Sequence, residues 1–335
     1  MLLNSNSDQF KRHFKNKLSE MLSPDELGSF ILVLANSMQE ENLQQSLSEK
    51  LETTFNKLKA VANLKGSEDD KLVFQTLKKT GIKHYTSWQS RQVEHWQCAY
   101  NPMRALRPMR ASNEQFTSLL HPFDNNAFHF DKAFLRPEII SEENFDGTDL
   151  RLMYHKFPFA PFHLLIVIDA TSQRAQVLDK KTHLMTWNLA NHIGNKVAGF
   201  GLSFNSIGAG ASINHLHIHG FIEISVYSVE HQDWKHNGGD KQYPLNVERF
   251  SSASEAWQRI DHCHQHNQPY NLLYRAGSCY VIQRKPQGST KLPHWLGSIG
   301  WYEGCGGFNL SDESVYQSIS ADNIKTALSA FNPII

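Results

Sequence analysis

Three histidines, His215, His217 and His219, alternate with apolar residues over a short stretch of the chain. Successive side chains of a β-strand point to opposite faces, so this spacing predicts three imidazoles on one side and Leu216 and Ile218 on the other. Imidazoles are costly to bury without partners, and we therefore expect a solvent-accessible functional site. A neutral imidazole can bind zinc, or it can attack phosphorus and leave again, so two chemistries fit the row.

The segment before the histidines favours phosphate chemistry. A glycine loop, residues 206–211, starts at Ser206 and contains Gly208 and Gly210. Glycine lets the backbone approach a ligand closely, and exposed N–H groups in such a loop can hold phosphate oxygens. Ser212 follows the loop and can donate its hydroxyl to the same oxygens. Zinc needs no such loop, so we predict neither a metal nor a cofactor, with a zinc site or a purely structural strand as alternatives.

Several basic residues are further candidates for binding the substrate. Arg104, Arg107 and Arg110 have a spacing that suits contacts with distal phosphates or a sugar, and an ordinary solvated face has the same spacing. Lys156 has the same two interpretations. His163 begins a predicted strand, where it is either a hydrogen-bonding partner of the site or a packed side chain.

A second histidine cluster invites a metal interpretation. His262 and His266 lie one helical turn apart, which suits metal binding, although histidines on a solvated helix face have the same pattern. The sequence offers no second ligand pair nearby. The metal interpretation is therefore the less favoured of the two.

Composition excludes several classes of protein. The 335 residues include 33 Lys and Arg against 33 Asp and Glu, and this balance argues against a nucleic-acid partner. The N-terminus has no apolar core of a secretory signal, and no apolar stretch is long enough to cross a bilayer. The four cysteines stand far apart, so neither a disulfide framework nor a zinc ribbon is predicted. We expect a cytoplasmic protein without a membrane partner.

The periodicity of apolar residues indicates which elements position these side chains. Residues 8–64 have the three- and four-residue spacing of helices, and no chemistry is evident there. Strand-forming residues, including the histidine row, predominate in later segments, between which helical patterns recur. The predicted strands are 150–154, 163–168, 202–204, 213–224, 271–274 and 279–284, and the predicted helices are 182–197, 254–266 and 320–331. This order predicts an α+β fold with an antiparallel sheet.

Residues 205–219, with the sequence NSIGAGASINHLHIH, resemble the active-site segment of the histidine-triad and galactose-1-phosphate uridylyltransferase superfamily. Within it the chain is most similar to GDP-hexose phosphorylases and somewhat less similar to diadenosine tetraphosphate phosphorylases. Flanking segments of these phosphorylases resemble residues 120–130, 156–167 and 270–284. The resemblance covers roughly residues 100–330.

That resemblance implies an antiparallel-sheet HIT/GalT-like fold built from two HIT-like halves, of which the second is degenerate. We accordingly expect an N-terminal helical region at residues 1–95, a catalytic half at 96–245 and a degenerate second half at 246–335. Relatives are often dimers, which implies a possible homodimer.

The resemblance also implies roles for the site residues. His217 would be the nucleophile that forms a covalent nucleotidyl-enzyme intermediate, and His215 would orient it. Asn205, Gly210 and Ser212 would hold the reacting phosphate.

One position departs from the pattern of these relatives. The third position of the triad is usually glutamine in the transferases and GDP-hexose phosphorylases, whereas this chain has His219. Histidine occupies that position in the hydrolytic branch, where it helps to protonate the leaving group, and in some diadenosine tetraphosphate phosphorylases.

The function that the resemblance implies is nucleotidyl transfer, most specifically phosphorolysis of a GDP-hexose to GDP and hexose 1-phosphate. Its ligands would be a nucleotide-sugar, or a dinucleoside polyphosphate, and inorganic phosphate. The alternatives are a diadenosine tetraphosphate phosphorylase, a histidine-triad nucleotide hydrolase, and a nucleotide-binding protein without catalytic activity.

Overall fold

The computed structural model describes residues 2–23, 25–107 and 116–333. Arg110, one of the three arginines considered above, lies outside these ranges.

The N-terminal region is helical, as its periodicity predicts. Helix α2 is apolar on every side, and it is buried because it packs against α1, α3 and α4. The bounds are α1 (Ser7–Glu20), α2 (Leu27–Ser37), α3 (Glu41–Ala60) and α4 (Glu68–Thr80).

An eight-stranded sheet forms the centre of the described molecule. Its strands are β3 (Ile139–Phe145), β4 (Thr148–Tyr154), β5 (Leu164–Ile168), β6 (Phe200–Asn205), β7 (His217–Ile222), β8 (Asn246–Phe250), β9 (Tyr270–Arg275) and β10 (Ser278–Gln283). Their order is β3-β4-β5-β7-β6-β9-β10-β8, and every neighbouring pair is antiparallel. The predicted antiparallel α+β architecture is therefore confirmed. Pairing of β6 with β9 joins strands β3 to β7 to strands β8 to β10 in one sheet.

A smaller sheet contains β1 (Gln89–Val93), β2 (Trp96–Tyr100) and β11 (Gly307–Leu310). Strand β2 pairs antiparallel with β1 and parallel with β11, so residues 89–100 share this sheet with residues 307–310. The proposed boundary between residues 95 and 96 falls in the turn of the β1–β2 hairpin.

The two faces of the large sheet have different surroundings. Helices α5 (Lys180–Gly194) and α6 (Ala253–Gln265) cover one face, where Ile218 belongs to the same core as Leu189 and Ile260. His217 and His219 alternate with Ile218 and project from the opposite face. The remaining helices are α7 (Trp301–Gly304), α8 (Glu313–Ser318) and α9 (Ala321–Ser329). No helix among the described residues combines the length and apolar character needed to cross a bilayer.

Candidate active site

Two of the three triad histidines lie on β7, which begins at His217. The expectation that His215 also belongs to the strand is wrong. The backbone has left the sheet there, because the Leu216 N–H donates to the carbonyl of Arg174 in a loop. The His215 and His217 rings nevertheless share a contact, since Phe130 lies 6.0 Å from the first and 4.9 Å from the second between ring centroids.

The triad is buried, so the prediction of a solvent-accessible row is wrong. The three side chains are only 0%, 5% and 5% exposed, in chain order. Each ring has a partner that offsets the cost of burial. The Phe130 N–H donates to His215 Nδ1 at 3.0 Å, His217 Nδ1 contacts the His215 carbonyl oxygen at 2.7 Å, and His219 Nδ1 lies 2.9 Å from His163 Nε2.

The contact between His217 and the carbonyl of His215 determines the state of the central imidazole. A carbonyl oxygen only accepts hydrogen bonds, so His217 Nδ1 carries the proton and Nε2 keeps its lone pair. Burial lowers the pKa of His217 to about 4, and the ring is therefore neutral at neutral pH. Among the described residues none forms a hydrogen bond with Nε2, which leaves this nitrogen available as a nucleophile.

Gln176 holds the two strand ends that carry the site, a role for which the sequence contains no signal. Its amide nitrogen donates to the carbonyl oxygens of Asn205 and His217, and its amide oxygen accepts from the His217 N–H. The side chain is 1% exposed. Gln176 therefore bridges the end of β6 and the start of β7, in a loop where the sequence has no recognisable pattern.

A second hydrogen-bonded chain fixes the state of His219. The Phe159 N–H donates to His163 Nδ1 at 3.5 Å, so the proton of a neutral His163 lies on Nε2. That proton is donated to His219 Nδ1, and the proton of His219 is then on Nε2. Burial holds the pKa of both rings well below the usual histidine value, so both are neutral. His219 therefore has an N–H donor to offer, and of the two interpretations of His163 the structure places it as a partner of the triad.

His155 extends this histidine cluster, and sequence reasoning missed it. Its ring stacks on His163 with centroids 4.3 Å apart, and burial lowers its pKa well below the usual value. His155 immediately precedes Lys156, and its ring centroid lies 6.1 Å from that of His219. The short Phe157–Pro161 segment brings His155 and His163 together, which spacing alone does not indicate.

The glycine loop is shaped largely by packing. A β-carbon on Gly208 would lie 2.3 Å from the Phe116 ring, and Gly210 has φ +99° with Gly300 close by. The Ser206 hydroxyl accepts from the Tyr270 N–H and donates to the Ile207 carbonyl, so it anchors the loop.

Part of the loop can still contact a phosphate. Within the described ranges, the backbone N–H groups of Gly210 and Ser212 donate to no other residue, and the Ser212 side chain is exposed beside a cavity. The side-chain oxygen Oδ1 of Asn205 accepts from the Trp301 N–H and from the Asn271 amide, which leaves the Asn205 Nδ2 amide hydrogens for a ligand. These donors fit the phosphate role that the resemblance implies.

The predicted basic residues lie in different surroundings. The Arg104 guanidinium donates to the Phe157 carbonyl and stacks over Phe159, and burial lowers its pKa to about 9, so it stays cationic. Its charge, like that of Arg107, acts on His155 next to the triad. Lys156 forms an ion pair of 2.6 Å with Asp70.

The second histidine cluster does not gain a third ligand. His262 and His266 stack with centroids 4.0 Å apart on the end of α6, and neither joins a group of metal-ligating side chains among the described residues. His95, His231 and Asp233 do come within ligand distance of one another. The Asp233 carboxylate is already paired with Lys241 at 2.7 Å, so we interpret this trio as part of an ion-pair network.

The buried histidines predict loss of stability in acid. They are neutral in the fold and become charged in the unfolded chain below their ordinary pKa of 6.5, so the unfolded state binds more protons as the pH falls. Burial lowers the pKa of both His215 and His217 to about 4. As the pH falls from 6.5 to about 4, each histidine is therefore expected to lower the free energy of unfolding by about 3 kcal/mol. Urea unfolding at about pH 7.5 and about pH 5 measures this slope. A His215→Phe variant should have a shallower slope, and equal stability at both pH values would contradict the prediction.

The part of the chain that carries this site is similar to a known protein family. Residues 93–221, which include the whole triad, match the family model described as GDPGP1-like, N-terminal domain. No curated protein matches the chain in sequence.

Solved structures with a similar fold come from yeast. The crystal structure of yeast Ap4A phosphorylase Apa2 has 15% sequence identity and a TM-score of 0.50, and the match covers 80% of this chain and 96% of that one. The same enzyme in complex with Ap4A matches with 16% identity and a TM-score of 0.50 over 80% and 99% of the two chains. Its complex with AMP matches with 15% identity and a TM-score of 0.50 over 80% and 98%. The chain is thus related to the GDPGP1-like proteins through residues 93–221 and shares its fold with yeast Ap4A phosphorylase.

Proposed function

We propose that this chain is a nucleotide phosphorylase that acts through a covalent nucleotidyl-His217 intermediate, with a GDP-hexose as substrate and inorganic phosphate as acceptor. The hydrogen bond between His217 Nδ1 and the His215 carbonyl carries the proposal, because it leaves Nε2 unprotonated. The GDPGP1-like match and the fold of Ap4A phosphorylase support a nucleotide phosphorylase as the general class.

In the first step the Nε2 lone pair of His217 attacks the phosphorus that carries the nucleoside. An N–P bond forms while the bond from phosphorus to the bridging oxygen breaks, and hexose 1-phosphate leaves with the electron pair. Negative charge develops on that oxygen, and the Nε2–H of His219 is the donor that the His163 contact leaves available.

In the second step an oxygen of inorganic phosphate attacks the same phosphorus. The N–P bond breaks, GDP is released, and His217 recovers its lone pair. The His215 carbonyl stabilises the positive charge on the ring of the intermediate, because it accepts from Nδ1 throughout.

Fixed donors would hold the phosphate oxygens during both steps. The N–H groups of Gly210 and Ser212 and the Ser212 hydroxyl are available, and the buried cation of Arg104 lies on the side of His155 and His163. A chain without excess positive charge can therefore still bind a polyphosphate at one local site.

A dinucleoside polyphosphate is the second candidate substrate. The observation that favours it is the common fold with yeast Ap4A phosphorylase, one structure of which is a complex with Ap4A. The triad chemistry would be identical, with ADP or ATP in place of the hexose 1-phosphate as leaving group. His219 in the third position suits this candidate as well.

A substrate panel with and without inorganic phosphate tests the proposal. We expect GDP-glucose to be consumed only with phosphate and to give GDP and glucose 1-phosphate. Without phosphate, intact mass should reveal the protein carrying one guanylyl group. Consumption without phosphate would indicate a hydrolase, and preference for Ap4A would select the second candidate. Tight nucleotide binding with neither turnover nor adduct would indicate a binding protein.

A further inference from the structure

One cavity among the described residues lies next to the triad and reaches the N-terminal helices. Its volume is about 950 Å³, and His155, Phe130 and Ser212 line the end next to the catalytic histidines. The opposite end is lined by the first turn of α2, by the segment between α3 and α4, and by the first turn of α4. These segments precede residue 93, where the match to the family model begins. The helical region therefore contributes a wall of the substrate cavity.

Much of the cavity wall is apolar. It includes Phe130, Phe134, Leu135, Leu165 and Ile213. Aromatic and aliphatic walls suit the flat faces of a nucleobase, whereas the hydroxyl groups of a hexose require polar partners. The cavity therefore suits the nucleoside end of the substrate better than its sugar end.

Five acidic and three basic residues line the cavity, and three of these, Asp70, Lys156 and Glu138, lie close to one another. Asp70 from α4 and Lys156 after β4 form the ion pair of 2.6 Å, and a β-carbon on Gly28 of α2 would lie 3.4 Å from the Asp70 carboxylate. Burial raises the pKa of Glu138, which lines the same cavity, to about 7, while the charge of Lys156 lowers this pKa and that of Asp70 raises it. No described residue donates a hydrogen bond to Glu138, so its oxygens are available to a ligand.

The hydrogen-bonding groups of Asp70, Lys156 and Glu138 complement guanine better than adenine. The edge of guanine offers adjacent donors, N1–H and the exocyclic N2–H₂, together with the acceptors O6 and N7. Carboxylates accept from the donors, and a lysine donates to the acceptors. Adenine has an unprotonated N1 in place of the N1–H, and that lone pair would face carboxylate oxygens without a proton between them.

We propose that Asp70, Lys156 and Glu138 form the base-recognition end of the cavity and select guanine over adenine. This inference rests on the proposed function, because it assumes that the cavity holds the nucleoside attached to the reacting phosphate. It assigns a role in specificity to the N-terminal helical region, for which the sequence shows no chemistry. Asp70 is the residue through which that region reaches the base.

The test is binding of GMP and AMP to the full-length chain by calorimetry, followed by turnover of GDP-glucose and ADP-glucose. The Glu138→Gln substitution keeps the shape of the side chain and turns one acceptor into a donor. We expect it to weaken GMP binding by about 10- to 100-fold and to leave AMP binding within a few-fold. Asp70→Asn should reduce the same preference. Glu49→Gln, an exposed position on α3 outside the cavity, is the matched control and should leave both affinities unchanged.

The outcomes separate this inference from the proposed function. Turnover with an undiminished guanine preference in both variants would overturn base recognition by this cluster and leave the phosphorylase standing. An equal loss of GMP and AMP binding, or a wild-type preference for AMP, would also overturn it. If the wild-type chain binds nucleotides but neither turns them over nor forms the adduct, the proposed function fails independently of base selection. Glu138 forms no hydrogen bond within the described chain, so its variant should fold even if Asp70→Asn does not.

Discussion

The His217→Ala variant is expected to lower kcat for phosphorolysis of GDP-glucose by at least about 10⁴-fold, a loss typical of removing a catalytic nucleophile. No other nitrogen is placed to replace it, because His215 Nδ1 accepts from the Phe130 N–H and His219 Nδ1 is bonded to His163. Steady-state kinetics with and without the substitution measure the loss. The covalent adduct should disappear from the intact mass in parallel.

Binding and folding need separate controls for this variant, since His217 is buried and its truncation leaves space in the core. GMP affinity and the melting temperature should show that the fold and the cavity persist. His262→Ala, at an exposed histidine on α6, should behave as the wild type. Retention of the adduct in His217→Ala would mean that another residue is the nucleophile, and the proposed mechanism would then be wrong.

The sequence predicts the scaffold of the site well because the scaffold follows from local periodicity. Helix α5 occupies residues 180–194 where 182–197 was predicted, and α6 occupies 253–265 where 254–266 was predicted. Strand β7 places His217 and His219 on one face, as alternation requires. The joining of all these strands in one eight-stranded sheet is evident only from the structure.

Burial of the triad could not be predicted, because the partners that make it tolerable come from distant segments. Phe130 contributes the N–H that His215 accepts, and His163 immediately precedes the neighbouring strand β5. Gln176, which bridges Asn205 and His217, lies in a loop without a sequence pattern. Each of these contacts depends on tertiary structure, which a periodicity argument does not contain.

The glycine loop shows a different limit. Glycine at Gly208 indicates a close approach of the backbone, and the structure confirms a close approach, but to the Phe116 ring. A glycine in the sequence indicates that there is no room for a β-carbon, but it does not indicate which group occupies that space. The N-terminal helices likewise have no polar motif, so their contribution to the cavity is evident only when α2 and α4 are seen to pack against residues that follow β4.

The second large effect is expected at His219, where the substitution to alanine should lower kcat for GDP-glucose by about 10²- to 10⁴-fold. The reason is the hydrogen-bonded chain that ends on this ring. The Phe159 N–H and His163 leave the proton of His219 on Nε2, which would donate to the oxygen of the departing hexose 1-phosphate. His219→Gln keeps an N–H donor at this position and should retain more activity than alanine does.

A change of leaving group distinguishes this role from a structural one. The nitrophenyl ester of GMP has a leaving group that needs little stabilisation, so its reaction should depend weakly on His219. His219→Ala should therefore lose much less activity with this ester than with GDP-glucose, whereas His217→Ala should lose both. An equal loss with both substrates in His219→Ala would show that the residue does not act on the leaving oxygen. The donor would then serve another step, and the hydrogen-bonded chain through His163 would only hold the ring in place.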